Sequence, residues 1–141
     1  MAYSGVRVSG TLTDYTSLEI EHILPNNPKD DLRADFTAKN PQVIYDDCKN
    51  KLGNLTMLEK PINIVASNGY FAVKKSEFAK CKHYLTSCIA GLTPVGNNSS
   101  ITRINEKLAA FDDWTAATIE KRQTVLIGLT KEVWKISQIE V

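Results

Sequence analysis

A chain of 141 residues with 43% hydrophobic and 23% charged side chains can build one globular domain with a continuous core, and would be cramped as two. No run approaches the roughly 18 apolar residues of a membrane span, and the first residues lack the basic-then-apolar order of a secretory leader. No membrane partner is therefore expected, and the expected compartment is the cytoplasm. The formal net charge of +1 argues against tight autonomous binding to nucleic acid, yet leaves room for a local basic face.

The opening stretch, Met1 to Ser17, alternates small, polar and β-branched residues and predicts a lead-in strand or ordered arm. Leu18-Glu19-Ile20-Glu21-His22-Ile23-Leu24 reads as a short strand, which Pro25 stops. The polar stretch Asn26 to Lys51 holds helical patches at Pro28–Phe36 and Pro41–Lys51, with Gly53 suited to the end of the second. Asn54 to Glu59 predicts a second strand. Pro61 fits the first turn of a following short helix, which Ser67-Asn68-Gly69 ends after about two turns.

The resulting order is strand, insertion, strand, helix. Longer helices are expected from Tyr70 to about Ala90 and, after a linker-like Pro94 to Ser100, from Ile101 to about Phe111. Asp112 to Ile136 carries apolar residues mostly three and four apart and predicts an amphipathic helix. Cys48, Cys81 and Cys88 are odd in number and form no C-x-x-C pair, so they are expected to be reduced thiols.

The strongest chemical signal is Glu21-His22-Ile23-Leu24-Pro25, then Leu52-Gly53-Asn54-Leu55-Thr56, then Asn63. Phosphodiester hydrolysis needs a water made nucleophilic and a cation to absorb charge on the phosphate and the leaving oxygen. A neutral imidazole can take the proton from that water. A carboxylate and an amide oxygen are hard ligands suited to Mg²⁺ or Mn²⁺. Adjacent strand residues point to opposite faces, so Glu21 and His22 can serve one site only at a strand end or a bulge.

These motifs resemble the HNH endonucleases, and within them the C-terminal nuclease domain of GmrSD-type modification-dependent restriction enzymes. The resemblance rests on the acidic-His-Ile-x-Pro strand, the Leu-Gly-Asn-Leu-Thr-x-Leu segment and an asparagine nine residues beyond Asn54. Phe71 with Lys74, Tyr84 with Ser87, and Trp114 with Ile119 and Arg122 extend it, so that it covers roughly Glu19 to Trp134. It implies His22 as general base, Asn54 as the residue bracing the loop that presents it, and Glu21 with Asn63 as ligands of Mg²⁺ or Mn²⁺. It also implies DNA as substrate and an N-terminal nucleotide-hydrolysing, DNA-sensing domain or subunit as partner, this chain being a C-terminal fragment of a larger protein. Glu replaces the commoner Asp before the histidine, and a long insertion separates the two strands.

The expected fold is α+β: a ββα-metal (His-Me finger) hairpin and helix over residues 18–69, packed on a helical remainder over 70–137. The expected function is a metal-dependent DNA endonuclease or nickase of a restriction or anti-phage system. The rival readings are a non-catalytic DNA-binding or regulatory module of the same fold, and an RNase. Lys74, Lys75, Lys80 and Lys82 could line a phosphate-binding face, with Lys74 and Lys75 the nominated substrate contacts, although such runs are usually solvated helix surface. Arg122 reads as one partner of a structural ion pair, His83 as an exposed helix residue, and Trp114 and Trp134 as core or interface residues.

Overall fold

The computed structural model describes residues 17–93 and 105–135. The expectations for Met1–Thr16, for Pro94–Ser100 and for the beginning of the Ile101 helix lie outside them. Strand β1 (Leu18–His22) pairs antiparallel with β2 (Leu55–Glu59) in an unbroken register from Leu18 opposite Glu59 to His22 opposite Leu55. Between them lie helix α1 (Asp30–Lys39), helix α2 (Tyr45–Lys49) and a 3-10 turn at Leu52–Asn54. After β2 come α3 (Lys60–Ala66), α4 (Phe71–Phe78), α5 (Tyr84–Ser87) and the long α6 (Ala116–Trp134). The architecture is α+β, with a two-stranded sheet and a hairpin-then-helix order over the predicted segment.

Local chemistry accounts for these elements. Asp30 and Asp31 open α1 and Lys39 closes it, matching charge to the helix dipole, while Leu32 and Phe36 four residues apart turn inward. Phe36 meets Tyr45 of α2 edge to face at 5.2 Å, and the Tyr45 hydroxyl donates to the Pro25 carbonyl at 2.6 Å. The insertion is thereby anchored to the end of β1. Pro61 sits in the first turn of α3, and Ser67 follows the helix at φ 45.

Two helix expectations are corrected. The helix expected over Tyr70–Ala90 is broken, because the Lys82 backbone N–H is taken by Glu59 Oε1 at 3.0 Å and His83 is extended. His83 is accordingly a half-buried residue ahead of α5. The chain at 108–111 is not helical either, since the Phe111 N–H is held by the Ile89 carbonyl at 3.0 Å. In the last segment, α6 begins only after Trp114, where Thr115 and Thr118 form a reciprocal cap.

One hydrophobic cluster holds Ile23 and Leu24 after β1, Leu58 of β2, Phe36 and Tyr45 of the insertion, Phe78, Ile89, Trp114 and Ile119, while Tyr84 of α5 and Cys88 form a second with Leu108. The 3-10 turn packs directly against α6. Gly53 lies so close that a Cβ there would fall 2.0 Å from the Ile119 carbonyl oxygen and 2.9 Å from the Gln123 backbone nitrogen. This backbone approach, rather than a helix end, is what requires the glycine.

Gly53→Ala is expected to destabilise the domain by on the order of 3 kcal/mol, read as a lower denaturant midpoint, because two backbones must separate to admit one methyl. All three cysteines are free and buried. Burial pushes the Cys81 thiol up to about 12 and the Cys88 thiol up to about 11, so little reactive thiolate forms at pH 8. A thiol reagent at that pH should label these two cysteines only on unfolding; rapid labelling of the native protein would contradict this.

Candidate active site

The site is assembled at the end of β1. His22 is the last paired residue of that strand, and no bulge interrupts the pairing, so any site it shares with Glu21 depends on the strand end. Alternation places Glu19 and Glu21 on one face and Leu18, Ile20 and His22 on the other. Glu21 is buried, whereas His22 is half-buried.

The segment just after His22 is held by Asn54, which is completely buried. Its Oδ1 accepts from the Leu24 N–H at 2.7 Å and from Trp114 Nε1 at 2.8 Å, while its Nδ2 donates to the carbonyls of Leu24 at 2.9 Å and Lys49 at 2.7 Å. Its backbone carbonyl accepts from the Ile23 N–H at 2.9 Å. Both ends of the amide are thus saturated. Trp114, expected as a core residue, is also the donor that completes this arrangement; it stacks on Phe71 at 5.1 Å and meets Phe111 edge-on at 5.3 Å.

Arg122 is a correction. It was expected in an ion pair, but its buried guanidinium donates to the carbonyls of Gly53 at 2.9 Å and Leu55 at 2.7 Å, with Thr56 Oγ1 at 3.4 Å. Burial lowers its pKa to about 10. The residue therefore ties α6 to the start of β2.

Asn63 lies in α3, the helix that follows the hairpin. Its Nδ2 donates to Glu19 Oε2 at 2.9 Å, and its Oδ1 is buried without a hydrogen-bond partner. Glu19 lies outside the sequence motifs that mark the other site residues. The signal was present, since residues two apart on a strand share a face and Glu19 is two before Glu21.

Lys74 of α4 is placed differently from its nomination as a substrate contact. Its side chain is fully buried, and its Nζ pairs with Glu21 Oε1 and donates to the His22 carbonyl at 2.6 Å. Burial lowers the ammonium pKa, and the Glu21 carboxylate opposes that shift. The group is therefore enclosed and committed to Glu21 and the His22 carbonyl rather than presented at the surface. Lys75 is partly exposed and bonded to Asp112 Oδ1 at 2.9 Å, and Lys80 pairs with Glu77 at 2.6 Å.

The structure therefore gathers Glu19, Glu21, Asn63 and Lys74 on one side of the hairpin, with His22 at its end. Among the described residues no group of three or more His, Cys, Asp or Glu side chains converges as a metal site. A site with one carboxylate and one amide would not need such a group, because hard divalent cations retain several water ligands.

The model of one protein family, the C-terminal domain of GmrSD restriction endonucleases, matches residues 3–129. The chain belongs to that family. No curated protein and no solved structure gave a significant match. The match spans β1, the insertion, β2 and most of α6, so every residue of the site in this GmrSD C-terminal domain lies within it. Membership carries the general assignment to a family of restriction nucleases. Among the described residues no helix is long and apolar enough to cross a membrane.

Removing the Asn54 amide strips partners from one buried and one part-buried carbonyl, one backbone N–H and the Trp114 indole. Each buried polar group left unpaired costs about 1–3 kcal/mol, so Asn54→Ala should lose at least about 3 kcal/mol by equilibrium denaturation. A loss under about 1 kcal/mol would show that water or a shifted neighbour replaces the amide.

Proposed function

We propose that this domain is an HNH-type, metal-dependent endonuclease that hydrolyses DNA phosphodiester bonds as the effector part of a restriction or anti-phage system. The observation that carries the reading is the Asn63 side chain. Its nitrogen is committed to Glu19, which shares a strand face with Glu21, and its buried oxygen is left without a hydrogen-bond partner. A buried, unpaired amide oxygen is unfavourable unless something else engages it, and a hard cation is such a partner.

Glu21 and Asn63 would hold Mg²⁺ or Mn²⁺, their oxygen donors fitting such an ion better than zinc in the absence of a thiolate pair. Bound there, the ion would supply charge stabilisation for the phosphate and the departing oxygen. His22 takes the proton from the attacking water. Asn54 positions His22 indirectly, by fixing the backbone of Ile23 and Leu24 immediately after it. Glu19 orients Asn63 by accepting its N–H, which leaves the oxygen as the free end of the amide.

One such site cuts one strand, so a double-strand break needs two subunits or two successive events. The formal charge of +1 favours dependence on an N-terminal nucleotide-hydrolysing, DNA-sensing domain or subunit, which would raise the local concentration of the nuclease on its target. Lys75 gives one N–H to Asp112 and, being partly exposed, has further donors with which it could contact phosphate. The proposed compartment is the cytoplasm.

The test is a cleavage assay with plasmid DNA and RNA in Mg²⁺ or Mn²⁺, with and without chelator. His22→Ala should lower DNA cleavage by roughly 10²–10⁴-fold with the fold retained, the usual contribution of a general base, and chelator should stop the wild-type reaction. Undiminished turnover by His22→Ala would remove it from this role. Cleavage confined to RNA would reassign the substrate, and no cleavage of either polymer would favour a binding module.

A further inference from the structure

The chain already contains a cation on the carboxylate that would hold the metal. Lys74 reaches from α4 to Glu21 Oε1, with its side chain fully shielded from solvent, and its ammonium also satisfies the His22 carbonyl at 2.6 Å. A buried carboxylate without a partner is strongly disfavoured, and so is a buried ammonium, so each stabilises the other in the metal-free protein. A divalent ion on the same carboxylate must then share it with a positive charge one hydrogen bond away. Like charges at such separation repel strongly where water is excluded.

We propose that Lys74 is a positioning residue that stands in for the metal's charge at Glu21. It keeps the metal-free site folded, and it sets the affinity for the divalent ion low enough that binding is weak and reversible. Its second hydrogen bond, to the His22 carbonyl, couples the proposed base and the proposed ligand to one anchor on α4. Folding would not await the metal, and a site weakened by this repulsion would fill only when other oxygen ligands, such as a substrate phosphate, join it. This inference rests on Glu21 being a metal ligand, as proposed above.

The experiment is Mn²⁺ titration by calorimetry of the wild type, Lys74→Met, Lys74→Arg and Glu21→Gln, paired with thermal unfolding in chelator and in Mn²⁺. Removing the ammonium should tighten Mn²⁺ binding by about tenfold or more. It should also make the thermal midpoint of Lys74→Met rise with Mn²⁺ more than that of the wild type, because the ion then supplies the missing counter-charge. Lys74→Arg keeps the charge and should stay within a few-fold of wild-type affinity. If Lys74→Met fails to fold in chelator, folding on addition of Mn²⁺ supports the same conclusion, and failure to fold in Mn²⁺ as well overturns it. Unchanged or weaker Mn²⁺ binding by a folded Lys74→Met, or equal tightening by Lys74→Arg, also overturns it. Glu21→Gln distinguishes the two levels: wild-type Mn²⁺ affinity in that variant would refute the ligand assignment itself, whereas its loss leaves the Lys74 result to decide the inference alone.

Discussion

The structure depends on a single buried amide. Asn54 closes the long insertion onto the strand it left, joining the backbone of Leu24, the carbonyl of Lys49 and the indole of Trp114 through one side chain. Bringing together chain ends separated by a long excursion costs loop-closure entropy, and the closure must be secured by contacts that no other register supplies. Asn54 meets that condition because its donor and acceptor ends must both find partners in the dry interior. Where it sits, β2 begins, and the pairing of Leu55 with His22 follows.

Around that clamp, the described residues include two interior cations that are stabilised in different ways. Arg122 spreads its charge over backbone carbonyls and a hydroxyl, a distributed arrangement suited to a planar guanidinium with five donors. Lys74 concentrates its charge on one carboxylate and one carbonyl, as a compact ammonium must. The first solution is architectural, since it binds α6 to the start of β2. The second meets the proposed chemistry directly, since the carboxylate involved is the proposed metal ligand.

The positions of His22 and Asn63 follow from elements that the sequence marks clearly. A strand ended by proline, a second strand beginning near Asn54 and a helix opened by Pro61 are local features, and each appears within a few residues of its expected place. Spacing along a strand also carried Glu19, although its use as the acceptor for Asn63 became visible only with α3 in position. The breaks after Phe78 and before Phe111 were not legible. They arise from backbone N–H groups captured by Glu59 and Ile89, partners distant in sequence, against a helical periodicity that was locally acceptable.

By itself the sequence determined the order of strand, insertion, strand and helix, the family, and the identity of His22, Asn54 and Asn63 as the residues to watch, because turn formers, strand stops and motif spacing act over short stretches of chain. Tertiary structure decided what the long polar side chains do. A run of lysines marks Lys74 for the surface, and the helix that carries it places it in the interior. Arg122 was expected opposite a carboxylate and found carbonyls instead. Flexible charged side chains have no local signature of burial; their partners are set by which elements pack together, and that packing is a property of the whole chain.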